Sequence, residues 1–500
     1  MNQRKVGILI SYLNIFLHAV IGFAYVPILL HYIGKSEYGL YQLIGSFIAY
    51  FSVMDFGLTA AVVRFYAKYK ALQDIINMEN ILAIAMRAYA VITVVLLVLG
   101  CIFYIFIPDI FAKSMTLGEI ASAKNLFILL LFNMVISIST MIFRAVINAH
   151  EEFLFLKGLE TIQLVMQPIL VVLVLQCLPN ALAVAGVQTG LNVILIIARI
   201  YYCFTKLHIK ICYHFWNKEM FVAFKKLALS IFAVTLIDQV FFKTNQIILG
   251  VVSGTAAVAV YSVASLIYMN YMALSTAISS VYLPYITEII AKNESVNKLT
   301  DLFIKIGRLQ YFLLALVASG FIIFGRQFIN MWAGESFDEA YIITILIIIP
   351  FTIDLIQNIG LAILQAQNKY DFRAKVYCAM GVFNLLLAIP LGIKVGGIGC
   401  AIATGLSMFI GNGLIMNYYY WKITGLDIPR FWREIKEISL PIFLLAVIAY
   451  YLNVVMGYHG KVFFAFSILV YIFAYIWTIN KYSVNDEERE RISNVIQKII

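Results

Sequence analysis

Lys243 is the residue of this 500-residue chain whose position points most directly to chemistry. It lies in the middle of a long apolar run, and a charge at the centre of a membrane helix costs about 2.5–3.5 kcal/mol on insertion scales. At about 100° per residue, Gln239 and Gln246 share one helix face with Lys243, and Asp238 and Asn245 lie on the adjacent face. This wide polar arc predicts a hydrated cavity in which the ammonium group binds an anion.

An ion pair that locks helices together is the alternative role for Lys243. Its candidate partners are the carboxylates of Asp238, Asp55 and Asp354, which also lie in apolar runs. Asp354 is followed at helical spacing by Gln357 and Asn358, and this face is suited to hydrogen-bonding the hydroxyl groups of a ligand. The same amide side chains are equally suited to holding neighbouring membrane helices together.

His18 and two arginines complete the set of candidate residues. His18 follows Ser11 and Asn14 on one helix face, and a histidine in a membrane segment is either a proton-binding site or a packing residue. Arg64 and Arg144 lie at the ends of apolar runs. Each is either a ligand contact at the mouth of a cavity or an interfacial anchor whose charged end reaches the lipid surface.

The amino-acid composition indicates that these candidate residues lie on transmembrane helices. Hydrophobic residues make up 63% of the chain and charged residues 12%, with a net charge of +10. Soluble domains are about 45–50% apolar and about 25% charged, so a soluble enzyme, a secreted disulfide scaffold and a disordered protein are excluded. Runs of about 20 apolar residues predict transmembrane helices. We predict an all-α integral membrane protein with fourteen spans, at 7–30, 39–63, 83–107, 125–147, 159–178, 182–204, 227–252, 256–286, 308–330, 341–365, 375–393, 396–421, 436–456 and 461–480.

The basic residues orient these spans. Of the 36 Lys and Arg residues, 29 fall in the loops and span ends on the side of both termini, and six fall on the other side. By the positive-inside rule both termini are cytoplasmic, and the net charge belongs to a rim that faces anionic lipid rather than nucleic acid.

No loop is large enough for a catalytic domain, and the cysteines form no CxxC pair. We therefore expect no enzyme activity, no metal and no cofactor, and the lack of a Walker motif argues against ATP.

Weak internal similarity divides the spans into two groups of six and a final pair. Segments 39–41, 148–153 and 189–191 match segments 259–261, 365–370 and 404–406 at offsets of 215 to 220 residues, and the same offset relates His18 to Asp238. Six spans per half predict two lobes in a parallel pseudo-repeat, as in transporters that bind substrate between their halves. The predicted domains are an N-lobe (1–210), a cytoplasmic linker (211–226), a C-lobe (227–422), helices 13 and 14 (423–480) and a charged cytoplasmic tail (481–500).

Two segments near the N-terminus carry a family resemblance. Residues 33–41 read Ile-Gly-Lys-Ser-Glu-Tyr-Gly-Leu-Tyr, and residues 55–67 read Asp-Phe-Gly-Leu-Thr-Ala-Ala-Val-Val-Arg-Phe-Tyr-Ala. Together with segments 250–255 and 366–370, they resemble Wzx-like polysaccharide flippases of the multidrug/oligosaccharidyl-lipid/polysaccharide (MOP) exporter superfamily. The resemblance covers nearly the whole chain.

The resemblance implies a multi-pass protein of the bacterial cytoplasmic membrane. Such a protein moves an undecaprenyl-diphosphate-linked oligosaccharide to the outer leaflet by alternating access, for O-antigen, capsule or exopolysaccharide synthesis. The implied partners are the lipid-linked oligosaccharide, membrane lipids, a proton or Na⁺ as counter-ion and a polysaccharide polymerase. The alternatives are a lipid II flippase and a cation-coupled multidrug antiporter.

The resemblance also assigns roles to individual residues. Asp55 and Arg64 match the family's Asp-x-Gly-Leu and Arg positions, which implies a coupling carboxylate and a headgroup contact at the inward mouth. We expect Asp55, Asp238 or His18 to bind the counter-ion, and Lys243 to bind the diphosphate.

Overall fold

The structure is a computed structural model that describes residues 3–215, 218–292, 294–367, 369–457 and 460–484. Within these ranges the chain is helical, without a β-strand, which confirms the predicted all-helical class. The helices are α1 (Gln3–Ser52), α2 (Leu58–Ala71), α3 (Ile75–Phe111), α4 (Leu117–Ser139), α5 (Met141–Ala149), α6 (Phe153–Leu175), α7 (Ala181–Thr205), α8 (Lys218–Ser253), α9 (Thr255–Ser280), α10 (Leu283–Ala291), α11 (Val296–Trp332), α12 (Glu339–Leu355), α13 (Ile359–Ala366), α14 (Tyr370–Met408), α15 (Met416–Lys422), α16 (Ile428–Met456) and α17 (Lys461–Tyr482). Most of the predicted charged tail, from residue 485 onward, lies outside the described residues.

Eleven segments of the described chain are long and apolar enough to cross a membrane, so the protein is a multi-pass membrane protein. In two of these segments a long helix is interrupted at a glycine with a positive φ. The first, Leu13–Ala71, includes Gly34 at φ 74°, and the second, Tyr370–Lys422, includes Gly396 at φ 64°. A right-handed helix cannot continue through a positive φ, and glycine adopts such a value because it has no Cβ to clash.

The Pro, Asn and Gly residues at 178–180, 253–255 and 396–397 predict turns between spans, and the structure contains a turn at each of these places. Residues 178–180 separate α6 from α7, and the Asn180 side chain accepts a hydrogen bond of 2.8 Å from the Ala183 amide at the start of α7. Gly254, at φ 81°, separates α8 from α9. Gly396 provides the third turn, as its sequence position beside a second glycine predicts.

Four predicted spans are not continuous helices, which corrects the sequence prediction. The span predicted at 39–63 is broken over residues 53–57, where Phe56 and Gly57 have φ values of 48° and 68°. The others break at Thr140, at residues 281–282 and at residues 356–358. The segments on both sides of each break are apolar, so a hydropathy profile averaged over a whole span does not reveal the break.

The break at residues 356–358 changes one predicted polar face. The amide of Gln357 donates to the Asp354 carbonyl at 3.0 Å and the amide of Asn358 to the Leu355 carbonyl at 3.2 Å. These bonds span three residues instead of four and tighten the chain into a turn. The expectation that Asp354, Gln357 and Asn358 share one face of an uninterrupted helix is therefore wrong.

Contacts divide the chain into two compact units, Met1–Ser262 and Val263–Ile500. In the first unit, α1 packs against α4, α6 and α8, while α2 packs against α5. Gly39 lies so close to the Thr255 carbonyl that a Cβ there would overlap it, so α1 approaches the start of α9 closely. On α3, the Asn80 side chain binds the backbone of His214 and Phe215, which holds the first part of the predicted linker against this unit.

In the second unit, α12 packs against α14, α10 against α13, and α11 against α12 and α16. A separate apolar cluster joins α11 to α16 and α17. Its buried members include Ile323 and Phe324 of α11 and Tyr471 and Tyr475 of α17. The hydroxyl of Tyr471 donates to Ser319 at 2.6 Å, so the aromatic residues of this cluster also satisfy their polar ends.

Candidate functional site

Lys243 lies on α8 and its side chain is only partly buried. Helix α8 is fixed to α1 close to this residue, because Thr244 hydrogen-bonds to Tyr50 and Gln246 accepts a hydrogen bond from Ser46. Among the residues that the structure describes, no carboxylate forms an ion pair with Lys243. The ammonium group is thus held on a firmly packed helix, with no carboxylate paired to it in the described part of the chain.

Asn245 and Gln246, the two amides beside Lys243, are 1% and 2% exposed. Asn245 donates to the Tyr261 hydroxyl at 2.7 Å, and Gln246 donates to Ser262 at 3.1 Å. Both bonds join α8 to α9. In this conformation the two amides therefore hold helices together, as the packing alternative for such residues predicts.

The remaining members of the predicted arc on α8 are Asp238 and Gln239. Both side chains are partly buried. They lie one helical turn before Lys243, so α8 carries its polar residues over about two turns, as the sequence predicts.

Asp55 lies at the break between α1 and α2. Its Oδ1 accepts a hydrogen bond from Thr59 at 2.9 Å and one from Tyr89 of α3 at 3.0 Å. The Thr59 and Tyr89 hydroxyls are themselves 3.0 Å apart. Two neutral hydroxyl groups therefore bind one oxygen of this carboxylate. Because neither hydroxyl cancels its negative charge, the carboxylate can still take up a proton or a small cation.

Arg64 and His18 are exposed, on α2 and α1 respectively. Arg144, on α5, is also exposed, and its guanidinium lies 2.7 Å from the Glu160 carboxylate of α6. Nearby, the Thr161 hydroxyl donates to the side-chain Oδ1 of Asn14 at 2.7 Å, which ties α6 to α1. The predicted helix face of Asn14 and His18 is thus partly used for packing.

In the second unit, Arg373 is a buried cation that the sequence interpretation assigned only to the cytoplasmic rim. It is 8% exposed, its guanidinium donates a hydrogen bond to the side-chain Oδ1 of Asn412, and it lies 3.9 Å from the Asp354 carboxylate. Asn412 belongs to a π-helical segment, Phe409–Ile415, a distortion that is frequent at functional sites. The predicted span 375–393 begins after Arg373, so the sequence placed Arg373 in a loop. The one sequence signal for its burial was Asn412, a polar residue in an apolar span that could serve as its partner.

Gln357 and Asn358 lie close to this group. Gln357 is 3% exposed and donates to the Ile353 carbonyl at 2.7 Å, while Asn358 donates to Ser275 of α9 at 3.3 Å. The structure therefore brings Asp354 together with Arg373, and Asn358 together with α9. No group of three or more His, Cys, Asp or Glu residues in the described part of the chain is placed to hold a metal ion.

His150 follows α5, outside the apolar segments. Lys70 donates to its Nδ1 at 3.0 Å, and the Tyr66 hydroxyl lies 3.2 Å from its Nε2. Because an ammonium group only donates, the imidazole is neutral and carries its proton on Nε2. Burial and the Lys70 charge hold the pKa of His150 below its ordinary value.

Comparison with known proteins gives a match over more than half of the chain. Residues 5–290 match the family model described as polysaccharide biosynthesis protein. A comparison with curated protein sequences finds no match.

Solved structures share the fold. A lipid II flippase, MurJ, in an inward closed conformation is 17% identical, with a TM-score of 0.72 over 94% of this chain and 98% of that one. A MATE-family multidrug resistance transporter of the MOP superfamily, in an inward-facing conformation, is 13% identical, with a TM-score of 0.61 over 78% and 92%. A single-residue mutant of the Vibrio cholerae MATE transporter VcmN is 12% identical, with a TM-score of 0.55 over 85% and 98%. At these identities the likeness shows the fold alone.

Proposed function

Because this chain belongs to the polysaccharide biosynthesis protein family of flippases in the MOP superfamily, we propose that it moves an undecaprenyl-diphosphate-linked oligosaccharide from the cytoplasmic to the outer leaflet. The observation that carries the proposal is Lys243, which lies within an apolar helix without a carboxylate partner among the described residues. An uncompensated cation in this position is suited to an anionic substrate group. It disfavours a cationic drug as cargo.

We propose fourteen crossings with both termini in the cytoplasm. The eleven apolar segments become thirteen when Leu13–Ala71 is divided at Gly34 and Tyr370–Lys422 is divided at Gly396. The 36-residue α8 adds the fourteenth crossing. An even number places both termini on one side, and the distribution of Lys and Arg makes that side cytoplasmic.

We further propose that the two groups of six spans are parallel repeats, with an N-lobe over 1–210, a linker over 211–226 and a C-lobe over 227–422. The helix breaks support this proposal. The break at Thr140 and the break at residues 356–358 are separated by about the same offset as the matching sequence segments. In each unit the two short helices that follow the breaks pack together, α2 with α5 and α10 with α13.

Transport of such a substrate requires a polar route for the headgroup, because sugar hydroxyls and a diphosphate are too costly to move through hydrocarbon. In the proposed mechanism, Lys243 binds the diphosphate, and Asp354 with Gln357 and Asn358 hydrogen-bonds the sugar. Arg64 and Arg144 receive the headgroup at the cytoplasmic side. The broken helices provide joints at which the short cytoplasmic segments reorient while the access side changes.

We propose that Asp55 binds the counter-ion, with Asp238 and His18 as further candidates. The hydroxyls of Thr59 and Tyr89 support this role, because they orient the Asp55 carboxylate without neutralising it. Moving one charge through the membrane potential supplies about 2.3 kcal/mol per 100 mV. The proposal includes a polysaccharide polymerase that consumes the product outside, which would pull transport in the same direction.

A lipid II flippase is the second candidate, because the MurJ structure covers 94% of this chain. Deleting the gene in its bacterium and analysing the extracted lipids distinguishes the candidates. The proposal predicts loss of surface polysaccharide and accumulation of an undecaprenyl-diphosphate-linked repeat unit. Accumulation of lipid II would instead establish the second candidate. Unchanged lipids with increased sensitivity to cationic drugs would contradict both and identify an antiporter.

A further inference from the structure

Three cations of the first unit surround a single carboxylate near the cytoplasmic ends of α5, α6 and α7. Glu160 lies 2.7 Å from the Arg144 guanidinium and 2.8 Å from the Lys157 ammonium. Arg199 of α7 is close enough to both Arg144 and Glu160 to interact with their charges. We define Arg144, Lys157 and Arg199 as the cation cluster. Among the described residues, the carboxylate that contacts these three positive charges is that of Glu160.

One hydrogen-bond donor of the cation cluster also lacks an acceptor. The Nε of Arg199 is buried and finds no hydrogen-bond partner among the described residues. A buried donor without an acceptor is costly, and such groups in native proteins call for a functional explanation. An anion that entered beside Glu160 would supply the missing acceptor.

The cluster is open to solvent and firmly supported. The side chains of Arg144 and Lys157 are 47% and 33% exposed, so a ligand can reach them. The Lys157 carbonyl accepts a hydrogen bond from Thr161 at 2.8 Å, and Thr161 together with Asn14 ties this turn of α6 to α1. Arg144, by contrast, belongs to the short helix that follows the break at Thr140.

From this geometry we infer that the cation cluster is a binding site for a phosphate-bearing group. When no ligand is bound, the Glu160 carboxylate partly neutralises the positive charge of the site. Two guanidinium forks and an ammonium group match the several oxygens of a phosphate or diphosphate. An interfacial anchor for topology would need neither a shared carboxylate nor a buried donor. Resting on the proposed function, the inference makes this site the place where the substrate's diphosphate first docks.

Inorganic pyrophosphate is the probe that tests the site without requiring transport. The full-length protein in phosphatidylcholine nanodiscs is titrated calorimetrically with pyrophosphate. We expect Arg199→Gln and Arg144→Gln each to weaken binding about tenfold, because each removes hydrogen bonds to a charged ligand. Glu160→Gln should tighten binding, because it removes the internal competitor.

A matched control is Arg326→Gln, which breaks an exposed pair with Asp338 (2.7 Å) outside the cluster and should leave pyrophosphate binding unchanged. Melting curves establish that each variant is folded, and Arg199→Lys, which keeps the charge but loses the fork, serves if Arg199→Gln does not fold. Equal pyrophosphate affinity in the wild type and the folded Arg199 and Arg144 variants would overturn the inference. So would a Glu160→Gln variant that melts earlier and binds no more tightly.

The source of the phosphate group is resolved by adding phosphatidylglycerol to the nanodiscs. Weaker apparent pyrophosphate binding shows that lipid headgroups also occupy the site, and unchanged binding restricts it to diphosphate ligands. Both results support a phosphate site. Pyrophosphate binding without flipping in the wild type would contradict the proposed function alone, and flipping without binding to the cluster would overturn this inference alone.

Discussion

The hydroxyl of Tyr89 donates a 3.0 Å hydrogen bond to the carboxylate of Asp55. This contact joins α3 to the left-handed turn between α1 and α2, and Thr59 donates to the same oxygen. A carboxylate bound by hydroxyls rather than by a cation keeps its charge available. The relationship therefore supports the proposal of a counter-ion site at a joint in the helix framework.

Asp55→Asn should abolish the dependence of flipping on an ion gradient. The amide keeps the oxygen that Thr59 and Tyr89 bind, so the local structure is retained while the charge is lost. Flipping in proteoliposomes is measured with and without a proton or Na⁺ gradient. Tyr89→Phe, which preserves the carboxylate, is the matched control and should remain gradient-dependent. Full gradient dependence in Asp55→Asn would rule out this residue as the coupling site.

Replacing Arg373 with methionine should destabilise the second unit by about 1.5–3 kcal/mol, the value typical of hydrogen bonds to charged groups. The change removes the donor to the side-chain Oδ1 of Asn412, and it removes the positive charge that lies near Asp354. Thermal unfolding in detergent measures the effect. Asp354→Asn should cost less, because its 3.9 Å contact with Arg373 is long and its side chain is 28% exposed. A larger effect of Asp354→Asn than of Arg373→Met would contradict the arrangement.

Gln246→Met should lower stability by only about 1 kcal/mol, because hydrogen bonds between membrane helices average about 0.6 kcal/mol. The variant loses the bonds to Ser46 and Ser262 but keeps the side-chain volume. Flipping at a temperature where the protein is folded should be unchanged. A variant that melts normally but loses flipping would instead assign Gln246 to the substrate route.

The sequence could predict the turns between spans at Gly254 and Gly396 but not the breaks within spans. Gly396 and Gly254 stand beside turn-forming residues and produced the expected turns, because a positive φ needs glycine. Phe56 adopts the same left-handed region at φ 48°, which its residue type does not suggest. In this conformation the Phe56 ring stacks on Phe232 of α8 with ring centroids 4.7 Å apart, a contact that sequence periodicity does not encode.

The candidate site shows the same limit. Lys243 was recognisable because a lone charge in an apolar run is costly. Arg373 was not, because its burial depends on Asn412, which is 39 residues away in the chain. Likewise, the helical stripe through Asn245 and Gln246 was predictable, but its contacts with α1 and α9 depend on tertiary packing.

Acidification should weaken the contact between α2 and the end of α5. Since burial and Lys70 lower the pKa of His150, the neutral imidazole stabilises the fold at pH values above the ordinary histidine pKa of about 6.5. This stabilisation is lost as the pH falls through the lowered pKa, when the protonated ring repels Lys70. The difference in melting temperature between the wild type and His150→Gln should therefore shrink from pH 7.5 to pH 5.

The control for this pH effect is Lys70→Met, which removes the charge that repels the protonated ring. In this background the effect of His150→Gln on the melting temperature should depend less on pH. If the wild type and His150→Gln kept a constant difference over this range, the neutral Lys70–His150 contact would be refuted.

The proposal that Lys243 binds the diphosphate is tested most directly by the flipping rate of Lys243→Ala. This rate is measured in proteoliposomes with a labelled undecaprenyl-diphosphate-linked oligosaccharide. The variant loses the cation proposed to bind the diphosphate, so its rate should fall at least about tenfold, as expected for a lost charge-assisted hydrogen bond. Lys243→Arg should retain activity, and Lys113→Ala, at an exposed lysine between α3 and α4, should flip at the wild-type rate. Wild-type flipping by Lys243→Ala would show that Lys243 does not bind the diphosphate.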